Sequence, residues 1–332
     1  MHEHATNTSR RPTYRRRGLV FTTAAMVSVL AVITTGCTAA FTAIPGVPNC
    51  TITPANSFWR SKVASLSVLP KSGQWINTIG ANAGLKADFG SGLWLGEKIG
   101  IPYTIIPGTQ PLVSITGEYS DSDHGQFPIP PSPNIEGGGD KHILLVDKDN
   151  CKLYETWNSV KVSNSLWSVG SAIRWDLKSN TMRAAGATSA DAAGLQILPG
   201  LVRYEEVASG TVRHAIRMTI PTTAGSYVWP ASHVAGSNSA YPPMGSWFRL
   251  RASTININNF DPAVRPIIVA LETYGAVIAD NGSAFYMSGV PDERWDNSKL
   301  QTLGQIKGSQ FDVVDASIMK VANGSYQSNT AS

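Results

Sequence analysis

The run HILLVDKDNCKLYETWN, residues 142–158, limits what this chain can fold into more than any other segment. Two apolar stretches flank Asp147–Asn150, and turn residues between two such stretches make a β-hairpin. The design recurs downstream. SAIRWDLKSNTMR (171–183) places Lys178-Ser179-Asn180 at a turn, and GAVIADNG (275–282) and AFYMSG (284–289) flank Asn281-Gly282. IPYTIIPG, PLVSITGEYS, VRHAIRMTI, SWFRLRASTININ and FDVVDA read as further strands. Helical spacing is confined to KSGQWINTIGAN (71–82), DPAVRPIIVALETY (261–274) and SKLQTLGQI (298–306). With no regular strand–helix alternation, a doubly wound sheet is excluded. The expected fold is mainly β, a sandwich or distorted barrel with a few short helices, in one domain over residues 58–318.

The ends of the chain read differently. Arg10, Arg11 and Arg15–Arg17 precede GLVFTTAAMVSVLAVITTG, a basic region followed by an apolar one, which predicts an export signal over residues 1–36. TTGC then places Cys37 where a bacterial lipoprotein would be cleaved and lipidated, although Thr34 stands where Leu or Val is usual. An ordinary secretory signal and an uncleaved anchor are the alternatives. The protein is therefore expected outside the cytoplasm, secreted or held at the cell membrane by a lipid. Residues 37–57, rich in Pro, Thr and Asn, are expected to be a tether, and residues 319–332 a flexible tail.

Of 27 Lys plus Arg and 23 Asp plus Glu, the leader holds five arginines and Glu3, so 22 of each sign remain. A balanced mature chain carries no electrostatic footprint for nucleic acid. Of three cysteines, Cys50 and Cys151 are left beyond Cys37, and two cysteines in an exported chain point to one disulfide.

GxSxG, HExxH, Walker A and a strand-linked GxGxxG are all absent, which leaves polar clusters beside turns as the candidate chemistry. IEGGGDKH (135–142) carries Asp140 and His142, two apart and on one face of a strand. TSADAAGLQILPGLVRYEEV (188–207) carries Asp191, Arg203, Glu205 and Glu206 and shows neither strand nor full helix periodicity, so it is expected to be one wall of a site. His214 and His233 follow, and Arg249 and Arg251 share a strand face that can bind an anion or pair with nearby acids. Asp280 ends a strand. Among nine tryptophans, Trp229, Trp247 and Trp295 lie beside these clusters and are the candidates for stacking on sugar rings.

The strings SADAAGL, PGLVRYEEV, HAIRMT, PPMG and ADNGS together resemble a family of exported bacterial and fungal proteins that lacks a secure biochemical assignment. The resemblance spans nearly the whole mature chain and implies a single domain. Links between some family members and carbohydrate-binding modules imply polysaccharide surroundings. His124 departs from the family pattern, where proline is usual, and is set aside.

The leading expectation is a glycoside hydrolase acting on a polysaccharide or cell-wall glycan. That reaction needs two carboxyl groups and no cofactor. The expected pair is Asp191 with Glu205 or Glu206, tuned by His214 or His142, with Asp140 and Asp280 in reserve. A monomer is expected, touching the membrane only through a lipid anchor. Two other readings stay open: a non-catalytic glycan-binding surface lipoprotein, and a metal-dependent hydrolase built on His142, His214 and His233.

Overall fold

Residues 44–331 are described by the computed structural model, so the leader and Cys37 lie outside the described residues. Among the described residues, sixteen strands form four sheets, none of them closed into a barrel. Short helices such as Ser72–Ile79 and Arg265–Thr273 pack against the strands Phe311–Val314 and Trp247–Leu250 respectively. The second helix starts at Arg265 rather than Asp261, because Pro266 fits its first turn, where no backbone N–H is required.

The mainly-β, sandwich-like expectation holds. A six-stranded sheet runs in the order Lys86–Asp88, Tyr286–Ser288, Ile216–Ile220, Ala276–Asn281, Trp247–Leu250 and Phe311–Val314. A four-stranded sheet is built around the hairpin that dominates the sequence. Ile143–Asp147 pairs antiparallel with Lys152–Trp157 and parallel with Tyr103–Ile106. Ile143–Asp147 is buried at every position, as a strand covered on both faces must be.

Two expected hairpins do not form. Ser171–Asp176 pairs back onto Lys152–Trp157, while Thr181 makes only an isolated bridge to Ser325. Ala276–Asn281 and Tyr286–Ser288 are separated by Ile216–Ile220, which bonds to both. That strand is almost entirely buried and takes a neighbour on each side, so the turn at Asn281-Gly282 carries the chain past it.

Neither end of the described chain is loose. Ile44, Val47, Cys50 and Ile52 are buried in the main core, so the segment expected as a tether is packed from Ile44 onward. The expected C-terminal tail is clasped against it. The Phe58 N–H donates to the Tyr326 carbonyl, and Ser57 and Ser61 bridge to Gln327 and Ala331. Met319 and Tyr326 are buried, and the Tyr326 hydroxyl donates to the Gly194 carbonyl at 2.9 Å. Apolar side chains at these positions outweigh the polar composition around them.

Cys50 and Cys151 form a disulfide with a Cα–Cα distance of 5.4 Å, pinning the N-terminal segment to the hairpin. A disulfide fits an oxidising, extracytoplasmic setting. No helix among the described residues is long and apolar enough to cross a membrane. The bond closes a 101-residue separation. On the chain-entropy account, Cys151→Ser is expected to cost up to ~4.7 kcal/mol. Urea unfolding of the variant should show a midpoint well below that of the oxidised wild type.

Candidate functional site

Strand alternation builds the site. In the six-stranded sheet, Lys86 lies opposite Tyr286, Asp88 opposite Ser288, and Thr219 opposite Tyr286. Opposed residues share a face, so Lys86, Asp88, Tyr286, Ser288, Arg217 and Thr219 all project one way. Ala87, Met218 and Met287 project the other way, and both methionines are fully buried in the core. Between Met218 and Thr219 the pairing with Ala276–Asn281 shifts by one residue, so that Asp280 rather than Ala279 sits beside Thr219. Irregularities of this kind re-aim side chains, and this one delivers Asp280 to the polar face.

This face is the floor of a cleft of about 1230 Å³. Its walls are the loop Glu136–Asp140 and the exposed hairpin Leu93–Trp94/Glu97–Lys98. The two walls touch: the Gly138 N–H donates to the Glu97 carboxylate. A Cβ on Gly137 would come within 2.6 Å of the Glu97 Cβ, so only glycine allows the loop to lie this close. At the hairpin tip Leu95 and Gly96 both have positive φ, 52° and 88°, the pattern of a type I′ turn. Leucine is strained in that conformation, by about 1 kcal/mol or more. Leu93, Trp94 and Leu95 are 63%, 69% and 90% exposed, so packing does not explain this leucine. An apolar rim on the cleft does.

The electrostatics divide the floor into two groups. In the first, Arg217 donates to Asp191 at 2.8 Å, to Asp280 at 3.0 Å and to the Ser288 hydroxyl at 2.7 Å. Burial pushes the Asp191 carboxyl up to about 6 against the pull of Arg217, and burial likewise raises Asp280. In the second group, His142 donates from Nδ1 to the Glu136 carboxylate and from Nε2 to the Ala190 carbonyl at 2.9 Å. Both partners are acceptors, so both ring nitrogens must carry protons. Burial alone would lower this imidazole, but the adjacent Glu136 carboxylate outweighs it and lifts His142 to about 9.

Asp88 stands apart. It opens onto the cleft, yet protein surrounds it closely enough that burial raises its pKa above the ordinary 3.8. Lys86 and Arg217 pull it down, and the Glu136 charge pushes it further up. Every other carboxyl lining the cleft is hydrogen-bonded: Glu97 to Gly138, Glu136 to His142, Asp140 to Trp157, and Asp280 to Arg217. Among the described residues Asp88 has no such partner. An exposed carboxyl without a hydrogen-bond donor, its pKa raised by burial and by the Glu136 charge, suits proton donation.

Three residues expected from the sequence meet at this cleft: Asp140, His142 and Asp280. The expected acid pair does not form. Asp191 is fully buried beneath the floor as the counter-ion of Arg217 and has no access to a ligand. Glu206 is buried between Arg203 and His214, whose Nε2 is 3.2 Å away. Burial pushes the Glu206 carboxyl up, but these two neighbours hold it below its ordinary value. Glu205, one residue earlier on the helix Tyr204–Ala208, faces outward and pairs with Arg294.

The stretch 188–207 is therefore a buried brace rather than a wall. Its backbone is satisfied by side chains, as a buried loop requires. Glu155 accepts from the N–H groups of Ile197 and Leu198, Ser189 donates to the Leu195 carbonyl, and Arg203 donates to the Leu198 and Leu201 carbonyls. Glu206→Gln is accordingly expected to lower stability by roughly 2–3 kcal/mol, since it leaves the buried Arg203 without its counter-ion. Thermal denaturation should show the loss, and any ligand binding in the cleft should be unchanged.

The remaining candidates have structural partners. Arg249 and Arg251 do share a face, but both bond Asp312 on the neighbouring strand. Trp247 and Trp295 are core residues whose indole N–H groups donate to the Tyr274 and Val290 carbonyls. Trp229 is half-buried against Phe58 and donates to the Ser325 carbonyl. His233 bonds the Ala192 carbonyl. His142, His214 and His233 thus do not converge, and among the described residues no three His, Cys, Asp or Glu side chains are grouped to hold a metal.

Sequence reasoning missed Asp88, Glu136, Arg217, Lys86, Trp94 and Tyr286. Period-two spacing was the available signal for Lys86 and Asp88 around Ala87, and for Arg217 and Thr219 around Met218. Three of the strings that suggested the resemblance meet at one ion-pair cluster: SADAAGL supplies Asp191, HAIRMT supplies Arg217 and ADNGS supplies Asp280. No family model, curated protein or solved structure matches the chain.

Proposed function

We propose that the cleft binds a polysaccharide or cell-wall glycan and hydrolyses its glycosidic bonds, with Asp88 as proton donor and Glu136 as the ionised partner. The observation that carries this reading is the pairing of two unlike carboxyls. Asp88 has no hydrogen-bond donor and a raised pKa, whereas Glu136 is held against a doubly protonated imidazole. A carboxyl that keeps its proton to higher pH can serve as the acid, and a carboxylate held by a cation as the base or nucleophile. Asp88 protonates the leaving glycosidic oxygen as the bond to the anomeric carbon breaks. Glu136 either activates a water or attacks that carbon directly, and the oxygen of water ends on the new reducing end. His142 positions Glu136. Arg217, already neutralised by Asp191 and Asp280, fixes Asp280 to accept sugar hydroxyls, and Trp94 and Tyr286 offer ring faces for stacking.

The chemistry needs no cofactor, and a monomer supplies every group named. The disulfide and the basic, apolar leader support action outside the cytoplasm, either secreted or tethered through a lipid on Cys37. The exposed Leu93–Trp94–Leu95 tip also favours a second reading, a glycan-binding protein without turnover. Purified protein on a polysaccharide panel separates the two. New reducing ends support hydrolysis, and retention on a polysaccharide without new reducing ends supports the binder.

A further inference from the structure

Beside the cleft lies a second depression of about 310 Å³, lined by Tyr103, Asn134, Tyr204, Glu205 and Asp292, and Lys98 lines both. The two hollows therefore adjoin across the base of the Leu93–Trp94/Glu97–Lys98 hairpin. The depression has the makings of a sugar subsite. Pro102, Val290 and Pro291 give it apolar floor, and the carboxylates of Glu205 and Asp292 accept hydrogen bonds. The Tyr103 phenol has no hydrogen-bond partner among the described residues, and burial and the Glu205 charge keep it protonated and able to donate.

The cations of both hollows are already committed, with one exception. Arg217 is saturated by Asp191, Asp280 and Ser288, His142 by Glu136, and Lys86 contacts the Tyr286 hydroxyl and ring. Arg294, at the edge of the depression, pairs with Glu205 and Asp292. Of the cations lining the two hollows, Lys98 alone has no hydrogen-bond or ion-pair partner among the described residues. Against it stand five acidic side chains in the cleft: Asp88, Glu97, Glu136, Asp140 and Asp280. Glu136 and Asp280 are each met by a cation and Asp88 is the proton donor, whereas Glu97 and Asp140 bond only neutral N–H groups. A polyanion entering here would therefore meet Lys86 and Lys98 beside two uncompensated carboxylates, with no net positive field to draw it in.

We infer that the ligand is a glycan chain without anionic groups, long enough to run from the cleft over Lys98 into the Tyr103 depression, which acts as a remote subsite. The inference rests on the glycan reading of the cleft and adds the length and charge of the chain. It does not need the chain to be cleaved.

Calorimetric titration with dimers and hexamers of neutral cello- and xylo-oligosaccharides and of chito-oligosaccharides, and with polygalacturonate, tests it. At least one hexamer should bind more tightly than its dimer, and polygalacturonate should not bind. Lys98→Ala and Tyr103→Phe should each weaken the hexamer by about tenfold, the size of one charged or well-placed hydrogen bond, and Tyr103→Phe, which touches only the depression, should leave the dimer unaffected. Both changes are compatible with the fold, since Lys98 is exposed and Phe retains the Tyr103 ring. Equal affinity for dimer and hexamer, no oligosaccharide binding, variants that bind the hexamer like wild type, or tight binding of polygalacturonate would each overturn the inference. A hexamer that binds as expected but stays intact removes the hydrolase reading and leaves the subsite standing. Cleavage that treats dimer and hexamer alike does the reverse.

Discussion

Asp88→Asn is expected to lower glycan turnover by ~100-fold or more, the scale of a lost general acid, with little change in thermal midpoint. The amide keeps the shape of the carboxyl but cannot donate a proton to a leaving oxygen at neutral pH. Stability should hold, because Asp88 makes no hydrogen bond or ion pair among the described residues, and its burial opposes the charged form. The wild-type pH profile carries the same signature. An acid whose pKa is raised above 3.8 keeps its proton to higher pH, so the alkaline limb of kcat/KM should be displaced upward from where an ordinary aspartate would place it. The steady-state rate of the variant, beside its melting curve, checks the claim. A variant with full turnover removes Asp88 as the acid.

The second large effect is on stability. Arg217→Met is expected to destabilise the protein by ~3–5 kcal/mol at pH 8, because it strands the fully buried Asp191 without a cation. Protonating Asp191 relieves that penalty. Burial already lifts this carboxyl to about 6, and losing Arg217 can only raise it further. A carboxyl with a raised folded pKa favours folding below its unfolded value and loses that contribution as pH rises through the folded one. The deficit of the variant should therefore shrink on acidification from pH 8 to pH 5. Adding Asp191→Asn to Arg217→Met should recover much of the loss at pH 8. Urea unfolding at both pH values distinguishes this from a general packing defect, which would be independent of pH.

These two residues also show how far the sequence could be read. The β architecture was legible because turn residues punctuate apolar runs at short intervals, as at Asp147–Asn150. Pairing was not legible: Ile216–Ile220 lies between Ala276–Asn281 and Tyr286–Ser288, and nothing local to Asn281-Gly282 announces a strand inserted from 60 residues earlier. Asp140, His142 and Asp280 stood out beside glycines and strand ends. Asp191 and Glu206 stood out equally and proved to be buried counter-ions. A carboxylate in a small-residue loop looks the same whether an arginine elsewhere in the chain folds over it or a ligand does. Arg217 and Asp88 were hidden for the opposite reason, each a polar residue alternating with apolar ones in an ordinary strand. The convergence depends on register, and on the one-residue shift after Met218 that turns Asp280 toward them.

Hydrolysis itself is tested most directly by the fate of solvent oxygen. The protein is incubated with the polysaccharide that gives new reducing ends, in water enriched in heavy oxygen, and the product oligosaccharides are weighed by mass spectrometry after short times. Acid–base hydrolysis at Asp88 and Glu136 places one solvent oxygen on the anomeric carbon of each new reducing end. Wild-type products should carry that label, and Asp88→Asn and Glu136→Gln should form almost none. Unlabelled or unsaturated fragments, or labelled products formed equally fast by both variants, would contradict the assignment of this cleft as a glycoside hydrolase site.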